Sequence, residues 1–157
     1  MYKKKLHSLN ILIPAYNEKD NLKKFLASLK KKFKVLIIDD GSIDGTKEYL
    51  KKNKINFLRN QKNKGYEKSL LKGFSYLIKK NNVEHILTMD ADGQHRISSI
   101  DRIYEYLIKN DLDLVIGSRS KKNRIIEKII SFFFYLKYNL SDPLSGFKIY
   151  KKKKLKE

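Results

Sequence analysis

The stretch HILTMDADGQH, residues 85–95, ends an apolar run in two aspartates separated by one alanine. Ile86, Leu87 and Met89 read as a buried strand, and Asp90 and Asp92 follow at once, with Gly93 opening a turn. Neighbouring carboxylates repel, so the pair gains nothing unless something positive lies between them or solvent surrounds them. A metal ion, a basic side chain and an exposed loop tip each meet that condition. Hard divalent cations take carboxylate oxygens, which makes a metal ion one of the three candidates.

Three other polar clusters close apolar runs. PAYNE follows LNILI, DDGSIDGT follows KVLII, and GSR follows DLVI. The elements that would hold them alternate. Residues 9–13 read as a strand ending at Pro14, and 34–39, 55–58, 85–90, 113–119 and 146–150 as further strands. Between them, Leu22, Phe25, Leu26, Leu29 and Phe33 recur at helical spacing, as do Leu70, Leu71, Phe74, Leu77 and Ile78. Asp44 suits a helix N-cap, and Ser98 with Asp101 resembles a capping pair ahead of Ile103, Tyr104 and Leu107. Strands apolar throughout, alternating with helices, indicate an α/β/α sandwich around a mainly parallel sheet. Ligands of such sheets bind at the carboxyl ends of the strands. The four polar clusters all fall there.

Composition narrows the classes. A chain of 157 residues with 41% apolar content fits one soluble domain with a real core. It has no cysteine, hence neither disulfides nor thiolate metal sites. No apolar run is long enough to span a bilayer, and the start lacks the longer apolar region of a signal peptide. A cytoplasmic location is the expectation. The net charge of +19 favours anionic partners such as phosphorylated small molecules or anionic lipid heads. Nucleic acid is the poorer reading, because no helix-turn-helix, zinc-finger or aromatic RNA-binding pattern is present. A dinucleotide-binding domain would need G-x-G-x-x-G after the first strand, where PAYNE stands instead.

The segments ILIPAYNEKDNL, VLIIDDGSIDGT, NKGYEKSLLKG, HILTMDADGQH, LVIGSR and DPLSGFKIYKK stand in one order over residues 9–152. In that order they resemble family 2 glycosyltransferases of the GT-A (Rossmann-like) fold. The likeness is strongest to polyprenyl-phosphate (dolichyl-phosphate) mannosyl- and glucosyltransferases. The resemblance implies inverting transfer of a sugar from a GDP- or UDP-linked donor to a lipid phosphate or glycan. It implies that Pro14, Tyr16, Glu18, Ile38, Asp40 and Ala91 belong to the donor site, with Tyr16 against a base and Asp40 accepting from a base N–H. Asp90 and Asp92 become the pair for Mg²⁺ or Mn²⁺ and the diphosphate. Arg119 supports the developing charge, and Asp142 is the candidate catalytic carboxylate on the acceptor side. Asp39 is read as holding the loop beside Asp40. His95 is left between a ligand contact and a structural role.

Two departures qualify the likeness. Ile97 stands where the family commonly has proline. The chain also ends where such enzymes continue into an acceptor-side portion, so one domain over 1–157 with that portion missing is the expectation. A non-catalytic or partner-dependent nucleotide-sugar-binding remnant is the alternative. Residues 123–138 place Ile125, Ile126, Ile129, Ile130, Phe133 and Phe134 on one apolar face ringed by lysines. That pattern suits an anionic membrane surface or a partner chain.

Overall fold

Apolar runs with no polar alternation need cover on both faces, and the structure supplies it. This computed structural model describes residues 8–118, 142 and 144–155. Six strands, β1 (Leu9–Ala15), β2 (Lys34–Asp39), β3 (Phe57–Arg59), β4 (His85–Thr88), β5 (Leu114–Ile116) and β6 (Lys148–Lys151), form one sheet in the order β3-β2-β1-β4-β6-β5. β1 pairs in parallel with β2 and β4, and β2 with β3. β6 is antiparallel to both β4 and β5, so β5 runs the same way as β4.

Helix α1 (Lys19–Lys32) follows β1, α2 (Thr46–Lys52) follows β2, α3 (Tyr66–Ile78) follows β3 and α4 (Ile97–Lys109) follows β4. Side chains alternate along β1, so Leu9, Ile11 and Ile13 pack with Leu22, Leu26 and Leu29 of α1, Leu50 of α2 and Tyr104 of α4. Leu12 faces the other way and joins Leu36, Ile38, Ile86 and Leu77 of α3. Gly73 lets α3 lie close, since a β-carbon there would meet Leu12 Cδ1 at 2.2 Å. Fully burying each large aliphatic side chain contributes about 1.5–3 kcal/mol, which makes these two layers the main source of stability. A short 3₁₀ turn, Lys152–Leu155, follows β6.

Several boundaries differ from the sequence reading. β1 continues through Pro14 to Ala15. Its ladder with β4 ends at Leu12–Thr88, while Pro14 still pairs in register with Ile38, so a missing N–H is tolerated. Helix α4 begins at Ile97, with no side-chain cap, and Ser98 lies inside it. Asp101 instead forms an ion pair with Lys32 of α1. Helix α2 starts after Gly45, whose φ is 88°; Asp44 accepts from the Thr46 N–H at 2.9 Å and the Lys19 N–H at 3.0 Å, joining two helix starts.

Among the described residues no helix is long and apolar enough to cross a membrane. The basic apolar segment 123–138 lies outside the described residues.

Candidate functional site

The carboxyl ends of β1, β2 and β4 are held by loops that brace one another. Asn17 adopts φ 56°, a left-handed conformation that asparagine tolerates better than most residues. Its N–H donates to Ser42 Oγ at 2.9 Å, and its Oδ1 accepts from the Ile43 N–H at 2.9 Å. The PAYNE and DDGS loops are thereby locked together. Asp39 is fully buried, accepts from the Ser42 N–H at 2.9 Å, and is bridged to Arg59 at 3.0 Å. Arg59 also donates to Ser42 O at 3.0 Å, so Asp39 holds the loop.

Asp40 is 4% exposed. Its Oδ1 accepts from Asn60 Nδ2 at 2.6 Å and the Lys64 N–H at 3.0 Å, and its Oδ2 from the Gly65 N–H at 2.8 Å. Lys72 and Ser69 complete the cluster, Lys72 Nζ donating to Asn60 Oδ1 at 2.8 Å and Asn60 Nδ2 to Ser69 Oγ at 3.2 Å. Burial alone would raise the Asp40 pKa. The hydrogen bonds from Asn60, Lys64, Gly65 and Ser69 outweigh it and hold the carboxyl below its ordinary value. Asp40 therefore fixes the Asn63–Lys64–Gly65 turn that starts α3. Gly41 permits this approach: its φ is 81°, and a β-carbon would stand 2.7 Å from the Lys62 backbone.

These loops enclose a cleft of about 280 Å³. Pro14, Tyr16 and Glu18 at the end of β1, Asp40 after β2, Gly65 and Tyr66 at the start of α3, and Asp90, Ala91 and Asp92 after β4 line it. Tyr16 is 42% exposed and free to meet a planar ligand. Glu18 accepts from Asn21 at 2.8 Å. Asp92 is exposed, and its Oδ1 accepts from the Gln94 N–H at 2.9 Å, closing an Asx turn. Asp90 is half-buried and accepts from the Tyr66 hydroxyl at 3.2 Å. Burial first, then the charge and hydrogen bond of Asp90, push the Tyr66 phenol well above its ordinary value. Tyr66 thus stays a donor at any physiological pH.

The segment leading into β6 arrives beside Asp90. A β-carbon on Gly146 would lie 2.4 Å from Asp90 Oδ1, and Thr88 donates to Gly146 O at 2.8 Å. His95 stacks on Phe147, with centroids 4.5 Å apart and planes 12° from parallel. The lining combines the carboxylates of Glu18, Asp40, Asp90 and Asp92 with the ring of Tyr16. Such a cleft suits a ligand with a planar base and a cation-bridged phosphate. Asp90 and Asp92 are the residues that could hold a hard divalent cation there, with phosphate oxygens and water completing its shell. Among the described residues no group of three or more His, Asp or Glu is placed to hold a metal ion.

Not every expected residue reaches the cleft. Ile38 is fully buried in the α3-side core and is absent from the wall, because strand alternation turns it inward. Asp142 is 2% exposed, and its carbonyl accepts from the Ser145 N–H at 3.2 Å. It also is not part of the cleft wall. Arg119 lies outside the described residues. Sequence spacing gives Tyr66 no site role, because Asp90 lies 24 residues further on and no local signal says that the two side chains meet.

The model of glycosyl transferase family 2 matches residues 10–157. An uncharacterised protein of Methanocaldococcus jannaschii is 34% identical, over 93% of this chain and 72% of its own. The dolichol-phosphate mannosyltransferase of Pyrococcus furiosus is 28% identical, over 88% of this chain and 45% of its own. The UDP-N-acetylglucosamine–dolichyl-phosphate N-acetylglucosaminyltransferase of Methanococcus voltae is 28% identical, over 93% of this chain and 70% of its own. Among solved structures, glucosyl-3-phosphoglycerate synthase of Mycobacterium tuberculosis, in complex with Mn²⁺, UDP-glucose and phosphoglyceric acid, superposes with a TM-score of 0.70 at 16% identity. That match covers 96% of this chain and 59% of the solved one, so the chain spans under two-thirds of that relative. At such identity the likeness concerns the fold.

Proposed function

The chain belongs to glycosyl transferase family 2, and from that premise we propose that its cleft holds a nucleotide-sugar donor and that the sugar passes to a phosphate-bearing acceptor, with a polyprenyl phosphate as the favoured class. One observation carries the reading. Tyr16, Asp90 and Asp92, from loops far apart in sequence, line a single cleft at the carboxyl edge of the sheet. Relatives that act on dolichyl phosphate support the acceptor class.

In this reading the base lies against Tyr16, and Glu18 faces the ribose. Asp40 holds the α3 turn, so base reading by its carboxylate would require one of its internal hydrogen bonds to give way. Asp90 and Asp92 would hold Mg²⁺ or Mn²⁺ with the diphosphate, and the cation would neutralise charge on the leaving group. Tyr66 orients Asp90 through its hydroxyl. The acceptor oxygen attacks the anomeric carbon as the bond to the diphosphate breaks, which inverts that centre and releases the nucleoside diphosphate. A phosphate acceptor is already ionised and brings no proton to remove; a hydroxyl acceptor would need a carboxylate base, and Asp142, 2% exposed and outside the cleft wall, would have to be uncovered to serve. Arg119 is assigned to the leaving phosphate.

Thermal unfolding with UDP or GDP, with Mg²⁺ or Mn²⁺ and then with EDTA, tests the donor half. Stabilisation of roughly 2–4 kcal/mol well above the dissociation constant is expected with the cation. Equal stabilisation in EDTA would overturn the metal assignment. Transfer of labelled sugar to polyprenyl phosphate by the full chain tests the acceptor half.

A further inference from the structure

A second concavity, of about 530 Å³, lies at the amino ends of β1 and β2, on the edge opposite the donor cleft. Lys30, Lys34, Lys54 and Lys80 stand in its wall with Asn10 and Tyr76, and no carboxylate is among the lining residues. Lys30 donates to Asn53 O at 2.8 Å, and Lys80 Nζ lies 4.6 Å from the Tyr76 ring centroid. Among the described residues none of the four forms an ion pair. Lysines near the ends of α1 and α3 answer the helix dipole, which accounts for Lys30 and Lys80. It does not account for Lys34, which opens a strand.

Asn10 adds a separate observation. It is 8% exposed, and its Nδ2 is buried with no acceptor among the described residues. Buried N–H groups are rarely left without partners, because the desolvation is not returned. Asn10 is one of the residues in the wall of the concavity. The four lysines are exposed around it with no carboxylate among the described lining residues, which favours an anion there. An oxyanion can accept from an amide donor and meet the lysine charge together.

We infer that this amino-edge concavity binds a phosphate-type oxyanion, with Lys34 and Lys54 supplying charge and Asn10 the amide donor. The inference is independent of the donor-site reading. It is distinct in place, in having no carboxylate, and in needing no divalent cation.

Titration of the full chain with inorganic pyrophosphate in EDTA, followed by two-dimensional NMR, tests it. The Asn10 side-chain amide and the backbone amides of Lys54, Ile55 and Asn56 should shift saturably. Lys34→Ala with Lys54→Ala should weaken binding by about tenfold or more. Both side chains are exposed, so this variant reads the site even if Asn10→Leu fails to fold. Lys23→Ala with Lys24→Ala makes the same charge change on α1 near the other edge and should alter affinity by less than about twofold. Equal weakening in the two double variants, or shifts confined to Tyr66 and Asp90, overturns the inference. So does the absence of saturable shifts. A parallel titration with phosphatidic acid in bicelles separates the sources. Tighter binding there assigns a lipid headgroup, tighter binding of pyrophosphate assigns a soluble phosphate ester, and either supports the site.

Discussion

The two edges of the sheet are built from the same strands and helices, yet they carry opposite chemistry. At the carboxyl edge, each of the four strand-to-helix connections holds a left-handed residue: Asn17, then Gly41 and Gly45, then Gly65, then Gly93. The chain there bends sharply, buries Asp39 and Asp40, and presents Asp90 and Asp92. At the amino edge the left-handed residues are Lys54 and Asp111, each just after a helix C-cap, and the wall is lysine. Parallel strands explain the asymmetry. They place all four helix N-termini on one edge and all C-termini on the other, so the dipoles favour acidic groups at the first and basic groups at the second. The first edge closes its turns around a cleft that includes carboxylates, and the second around a concavity that includes lysines.

Substitutions can break that contrast or sharpen it. The largest effect is expected from Asp92→Asn. The amide can still accept from the Gln94 N–H, so the fold should persist while transfer falls by roughly 10²–10³-fold. Initial rates beside a urea melt check this, and unchanged rates would reduce the carboxyl edge to an acidic turn.

Asp40→Ala comes next. It leaves Asn60, Lys64 and Gly65 without their acceptor, at a cost of about 3 kcal/mol in stability at neutral pH. The native Asp40 pKa lies below its unfolded value of 3.8. Its contribution is therefore complete above that value and is lost as pH falls through the folded pKa. Denaturant melts of the two proteins should converge in strong acid. A constant gap down to that range would mean that the ionised form is not what matters.

Tyr66→Phe should cost about 1 kcal/mol, read as a roughly fivefold loss in kcat/KM, by freeing Asp90 from its phenol donor. A fall in cation affinity with little change in the unfolding midpoint would separate positioning from packing. If neither quantity moves, the hydrogen bond is incidental.

The smallest change belongs to the amino edge. Lys54 has φ 52°, where glycine bears no steric penalty, so Lys54→Gly should raise stability by about 0.5–1 kcal/mol. The same substitution should weaken pyrophosphate binding. Opposite signs in one variant would mark Lys54 as retained for charge at the expense of backbone ease; a gain in stability with unaltered binding would count against the amino-edge site.

Much of this architecture could be read along the chain. The apolar runs at 9–13, 34–39 and 85–90 became strands, the last ending at Thr88, because a run buried on both faces has few alternatives at that length. Helices at Leu22–Leu29 and Leu70–Ile78 followed from their spacing. The placement of PAYNE, DDGS and DADG at one edge needed only the parallel alternation of strand and helix. Boundaries were less legible. Pro14 suggested an end to β1, yet its place beyond the β4 ladder made the missing N–H harmless. Ser98 and Asp101 suggested a cap, yet Lys32 from another helix took the aspartate.

By itself the sequence determined the strand and helix order, the acidic pair and the family, since these depend on local period, residue type and motif order. Tertiary structure decided which side chains meet. It spent Asp40 on the turn before α3, turned Ile38 into the core, buried Asp142, and brought the Tyr66 hydroxyl to Asp90. It also set β6 between β4 and β5, so that Gly146 lies against Asp90. The physical reason is common to all of these. Each contact joins residues distant in sequence, and a carboxylate's role is fixed by whichever donors the folded chain brings within about 3 Å of it.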